Sequence, residues 1–108
     1  MNRYLLIESR DPFESNDVAH FERLACELAA AGNEVTMVLV QNGVLPARSG
    51  ARANGLQALA ASGVKVIAAA FALRERGIAA DQLAAGVTAA GLEVVIDAMA
   101  SGAKTLWH

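Results

Sequence analysis

Cysteine, histidine, proline and aromatic residues are all scarce in this 108-residue chain: one cysteine, two histidines, two prolines, three Phe, one Trp and one Tyr. A lone thiol, Cys26, excludes an intrachain disulfide and a cysteine-rich metal site. With His20 and His108 at opposite parts of the sequence, a histidine-based zinc site or a Ser-His-Asp triad would need a coincidence of folding, and His20 reads as a solvated position on a helix. Charge of one sign is also lacking. The net charge is -2 and the Lys and Arg residues are scattered, so there is no electrostatic footprint for nucleic acid or for an anionic membrane. No apolar run is long enough for a spanning helix, and Met1-Asn2-Arg3 leads directly into a strand rather than into the apolar centre of a signal peptide. A cytoplasmic protein is the expectation.

Several binding signatures are missing as well. There is no GxGxxG after the first strand and no GxxxxGK[ST]. Gly50 and Gly55 have the spacing of the second motif, but Leu56 stands where its lysine would be. The acids Glu8, Asp11, Glu14 and Asp17 could gather around a hard cation, yet Asp11 and Asp17 are equally explained as turn and capping residues. Ala68-Ala69-Ala70 removes the acid that a phospho-acceptor domain needs at the end of its third strand. No metal and no cofactor are expected.

What is present is a regular alternation of strand and helix. Tyr4 to Ile7 reads as a buried strand emptying into Ser9-Arg10-Asp11-Pro12. Ser15, Asn16 and Asp17 offer caps to a helix whose Val18, Phe21, Ala25 and Leu28 recur at helical spacing until Gly32. A β-branched run over 34–40 ends at Gln41-Asn42-Gly43, and a helix from about Ala51 to Ala61 closes at Gly63. Val64 to Ala68 gives a third strand, a helical turn runs to Gly77, and 86–88 is a weak strand. Leu92 to Ala100 then reads as a helix and Lys104 to Trp107 as the last strand. The 55% hydrophobic content suits one domain over 1–108. The pattern predicts a three-layer α/β/α sandwich with a mainly parallel sheet of about five strands joined by right-handed crossovers.

Ligands of such sheets sit beyond the carboxyl ends of the strands. Those ends carry Glu8, Ser9 and Arg10, then Gln41, Asn42 and Gly43, then Ala69 to Phe71, with Arg74 and Arg76 just beyond. Polar groups concentrated there predict a pocket for a small molecule or an anion. No catalytic residue is assigned.

The residues around Ala69 also carry a resemblance. An apolar first strand, the Ala30 to Val35 turn (Ala-Ala-Gly-Asn-Glu-Val), Val40-Gln41-Asn42-Gly43-Val44 and Arg74-Glu75-Arg76-Gly77-Ile78 follow one another at spacings that resemble the DsrE-like sulfur-relay family. The stretch from Val94 to Trp107 is similar to that family's closing helix and strand. The resemblance covers nearly the whole chain, and it implies an oligomeric subunit, a trimer or hexamer, that passes sulfane sulfur as a cysteine persulfide between partner proteins. It also implies a cysteine eight residues before Gly77, where this chain has Ala69, and in some members a second at the position of Ala72.

A persulfide relay needs an accessible thiolate whose pKa is lowered by positive charge. Arg74 and Arg76 could supply the charge, but alanine supplies no sulfur. Cys26 is the only substitute, and its mid-helix position beside the apolar stripe reads as structural or interfacial rather than nucleophilic. The expectation is therefore a non-catalytic DsrE-like partner or scaffold subunit that docks a sulfur-carrier protein. The alternatives are an anion or small-molecule binding protein and, behind it, a sulfurtransferase using Cys26. Alanine-rich helices at 56–61 and 83–90 bury little area per residue, which favours a homotrimer or homohexamer and leaves a dimer open. Trp107, Phe13 and Leu45-Pro46 are large apolar groups that either cap the chain's own core or anchor subunit contacts.

Overall fold

The computed structural model describes residues 2–12, 15–48 and 55–108. Five strands, β1 (Arg3–Glu8), β2 (Glu34–Leu39), β3 (Lys65–Ala69), β4 (Val87–Ala90) and β5 (Lys104–Trp107), form one sheet in the order β4-β3-β2-β1-β5. Every pairing is parallel. Among the described residues four α-helices connect them: α1 (Asp17–Ala30), α2 (Leu56–Ala61), α3 (Ala70–Glu75) and α4 (Glu93–Ala100). The expected α/β/α sandwich is what forms. The sequence-predicted start of the second helix, together with Phe13, Glu14 and Gly50, lies outside the described residues.

Local chemistry explains the element ends. The Ser15 hydroxyl accepts the backbone N–H of Asp17, meeting one of the open donors at the start of α1. At the other end Gly32 has φ +91°, and the Asn33 N–H returns to the Leu28 carbonyl. Gly77 repeats the device after α3 at φ +67°, with the Ile78 N–H on the Leu73 carbonyl, so the Arg-Gly-hydrophobic turn is a helix stop built into the backbone.

Side-chain alternation divides the core. Leu6, Met37, Leu39, Val66 and Ala68 point to one face and pack with Ala25 of α1, Leu56 and Leu59 of α2, and Ala72 and Leu73 of α3. Leu5, Ile7, Val38 and Ile67 point to the other, where among the described residues α4 is the helix that covers them, through Val94, Val95 and Ala98, with Val40, Ala90 and Ala103 at the margins. Each fully buried Leu, Met or Val stabilises the fold by roughly 1.5–3 kcal/mol relative to exposure, so most of the hydrophobic stabilisation lies on the first face. A 3₁₀ stretch over Gln41–Ala47 replaces the plain loop expected after β2. Within it Pro46 is buried and Leu45 packs on the larger core, so this pair caps the chain's own interior.

Candidate functional site at the carboxyl rim of the sheet

Strand β3 passes into α3 without a loop, and Ala69 is the junction, in extended conformation and 7% exposed. It lines a cavity of about 510 Å³ together with Val40, Gln41, Phe71, Arg74, Arg76 and Leu92 among others. Phe71 and Leu92 are both mostly exposed, giving the opening an apolar lip.

A second cavity of about 590 Å³ lies beside it, lined by Ser9, Arg10, Gln41, Asn42, Glu75 and Arg76. Gln41, Glu75 and Arg76 border both hollows. Arg76 is held in place: Nε and Nη2 donate to the Asn42 side-chain oxygen at 3.2 and 3.0 Å, and Nη1 donates to the Ala72 carbonyl at 3.3 Å. Because a guanidinium only donates, it fixes which end of the Asn42 amide is oxygen and leaves the amide N–H₂ as a donor. Gln41 is left-handed at φ +49°, a conformation that costs a non-glycine residue about 1 kcal/mol or more. Among the described residues no carboxylate pairs with Arg10 or Arg74.

Glu8 and Gly43 stand elsewhere. Glu8 is 2% exposed, and both of its carboxylate oxygens lie 2.9 Å from His108 Nδ1. The Arg10 backbone N–H donates to Glu8 Oε2 at 3.1 Å. The His108 ring rests on Phe21 of α1 at 5.3 Å between centroids. Ser9 Oγ donates to the His108 carbonyl at 2.8 Å and accepts from Trp107 Nε1 at 3.4 Å. Gly43 lies flat against the end of β1, where an added Cβ would collide with the Glu8 carbonyl oxygen. These two residues build the wall behind the cavities and line neither of them.

Glu22 joins Glu8 on that side. Burial pushes its carboxyl up from 4.5 to about 7, with the Glu8 charge adding to the rise. Sequence reasoning passed over both His108 and Glu22. For Glu22 a signal existed: it falls four residues after Val18 and three before Ala25, on the buried stripe of α1. For His108, one hundred residues from Glu8, there was none. His20 is exposed. Cys26 is half-buried against the larger core and borders neither cavity. Among the described residues no cluster of three or more His, Cys, Asp or Glu side chains could hold a metal ion, and no helix is long and apolar enough to cross a membrane.

Comparison with known proteins follows the same outline. The sequence pattern of the DsrE/DsrF-like family matches residues 3–107. The fold is similar to that of the ychN protein from E. coli, with a TM-score of 0.89 and 21% identity over 100% of both chains. A protein of unknown function from Methanobacterium thermoautotrophicum, MTH1491, gives a TM-score of 0.85 at 21% identity, again over 100% of both chains. BT1422 from Bacteroides thetaiotaomicron, also of unknown function, gives 0.76 at 18% identity over 97% of this chain and 94% of that one. Among curated proteins nothing matches.

Proposed function

Because the chain belongs to the DsrE/DsrF-like family, we propose that it is a non-catalytic, homo-oligomeric subunit of a cytoplasmic sulfur-transfer or sulfur-oxidation system, docking a cysteine-bearing carrier at the Ala69 cavity. One observation carries this reading. Ala69 ends β3 and lines an open, mostly apolar hollow flanked by Arg74 and Arg76, so the place prepared for a reactive sulfur has room and positive charge but no sulfur of its own. A carrier whose persulfide sits on a loop could insert that group beside the arginines, which favour the anionic form of the incoming sulfur. The chain then holds and shields the sulfur and forms no bond to it.

The test pairs a binding measurement with a chemical one. A persulfidated carrier protein should bind more tightly than its reduced form, and Arg74→Ala should weaken that preference several-fold. The subunit itself should gain no sulfur. Equal binding of both carrier forms, or sulfur transfer onto Cys26, would sink the reading.

A second reading rests on the neighbouring cavity. Arg10 and the Asn42 amide N–H₂ offer donors that suit a small oxyanion to a hollow that Ser9 and Glu75 also line, and Arg76 holds Asn42 ready. Titration with sulfite, thiosulfate and phosphate, followed by NMR shifts of these residues, tests it. Saturable shifts abolished by Arg10→Glu support anion binding, and their absence at millimolar anion removes it.

A further inference from the structure

We infer, on the basis of the oxyanion reading above, that the two hollows of the carboxyl rim are one bipartite site for a small organic anion. Its oxyanion head would sit in the cavity by Arg10, and its short apolar tail in the cavity by Ala69.

The two cavities differ in chemistry and share a wall. Around the first, Arg10 and the Asn42 amide N–H₂ are donors, and among the described residues no large apolar side chain lines it. Around the second the lining is mainly apolar, with Val40, Ala69, Phe71 and Leu92. Gln41, Glu75 and Arg76 border both, so one molecule can reach from the first into the second along the protein surface. Small-molecule sites run to roughly 300–1,000 Å³, and at about 590 and 510 Å³ each hollow is within that range.

The shared wall is set before any ligand arrives. Gln41 has φ +49°, and strain of that kind in a non-glycine residue clusters at ligand clamps and switches, where the surrounding structure enforces it. Arg76 beside it makes two hydrogen bonds to the Asn42 side-chain oxygen and one to the Ala72 carbonyl, which ties the 3₁₀ stretch to α3. A wall with its backbone enforced and its guanidinium braced leaves little ordering cost to binding.

Charge and length select the occupant. Three guanidinium groups, Arg10, Arg74 and Arg76, line the pair of cavities against one carboxylate, Glu75, among the described residues. A cation is disfavoured there, and an inorganic oxyanion uses the first cavity and leaves the second in water. Glu75 stands on the common wall, so repulsion drives the head away from the middle of the passage toward Arg10. The second cavity is bordered by Ala70, the first residue of α3, and by Arg76, the residue after its last. At about 1.5 Å of rise per residue α3 is about 9 Å long, room for an extended tail of up to roughly six carbons. Phe71 and Leu92, each 61% exposed, are the large apolar groups that such a tail would cover.

The test is calorimetric titration of the full chain with sulfate, with methane-, butane- and hexanesulfonate, and with hexylammonium as the cationic counterpart. Each methylene taken from water onto the apolar wall should tighten binding about two- to fourfold, so hexanesulfonate should bind at least about thirtyfold more tightly than methanesulfonate. Phe71→Ser should reduce that gain, and Arg10→Glu should weaken every sulfonate. Both side chains are exposed, so both variants should keep native circular dichroism. Binding of sulfate and methanesulfonate with no gain along the series overturns the inference and leaves the oxyanion reading standing. No binding of any anion at millimolar concentration removes both. Hexylammonium binding as tightly as hexanesulfonate, or a series that either variant leaves unchanged, also overturns it, because head and tail would then lie elsewhere. Carrier docking, read through Arg74→Ala, is a separate measurement.

Discussion

The two halves of the carboxyl rim are built from similar residue types and use them oppositely. At the β1/β5 half, two carboxylates and an imidazole, the usual parts of acid–base chemistry, are turned inward, with Glu8 committed to His108 and to the Arg10 backbone. At the β2/β3 half the groups that face the two open cavities are mostly donors and cations, Arg10, Asn42, Arg74 and Arg76, with Glu75 the one carboxylate among the lining residues. The reactive-looking groups hold the fold, and the open groups can bind but not react. A site is therefore identified by what its side chains are free to do, and the proposed receptor role rests on the open half around Ala69.

Breaking the closed half should have the largest effect. Glu8→Ala removes the acceptor for both His108 and the Arg10 N–H from a buried position, and it should lower unfolding stability in urea by about 2–4 kcal/mol. Gly43→Ala forces a methyl group into the Glu8 carbonyl, with an expected loss of about 1–3 kcal/mol. If either variant unfolds at the wild-type denaturant midpoint, the β1/β5 half is not the structural one.

The pH dependence is a gentler probe of the same half. Glu22 keeps its proton in the folded protein up to about 7, while in the unfolded chain it releases it near 4.5. Between those values the folded state binds more protons, so this group's contribution to stability is full below about 4.5, declines as pH rises toward about 7, and is flat above. Denaturant midpoints measured across that window should show the decline, and Glu22→Gln should flatten it. An unchanged slope in that variant would assign the effect to other groups.

At the open half the expected stability effects are small and the binding effects are specific. Arg76→Ala frees the Asn42 amide, which should cost about 1 kcal/mol of stability and abolish any oxyanion-induced shift at Asn42 in NMR spectra. Retained shifts at Asn42 would mean that Arg76 does not prepare it.

Much of the fold was legible because period and punctuation agree. Val18, Phe21, Ala25 and Leu28 mark α1, and Gly32 and Gly77 stand where the chain turns left-handed. The carboxyl-end rule also led to Ser9, Arg10, Gln41, Asn42, Phe71, Arg74 and Arg76, which the structure gathers around two adjoining cavities. It could not separate them from Glu8 and Gly43, because strand parity decides which end residue turns inward and one position shifts the outcome. The 3₁₀ stretch was hidden by Pro46, which reads as loop in any sequence. The His108–Glu8 pair depends on β5 lying beside β1, a strand order that no local pattern encodes. Exposure of Ile96 and Met99 was equally silent, since an apolar helix looks the same whether its own sheet or a neighbour covers it.

The central claim, a receptor without a nucleophile, is tested most directly by intact-protein mass spectrometry of wild type and Ala69→Cys after incubation with a persulfide donor. Wild type should show no added sulfur, and Ala69→Cys, with stability near wild type, should gain one sulfur that a thiol reductant removes. A reductant-reversible sulfur on wild type, located at Cys26, would contradict the account.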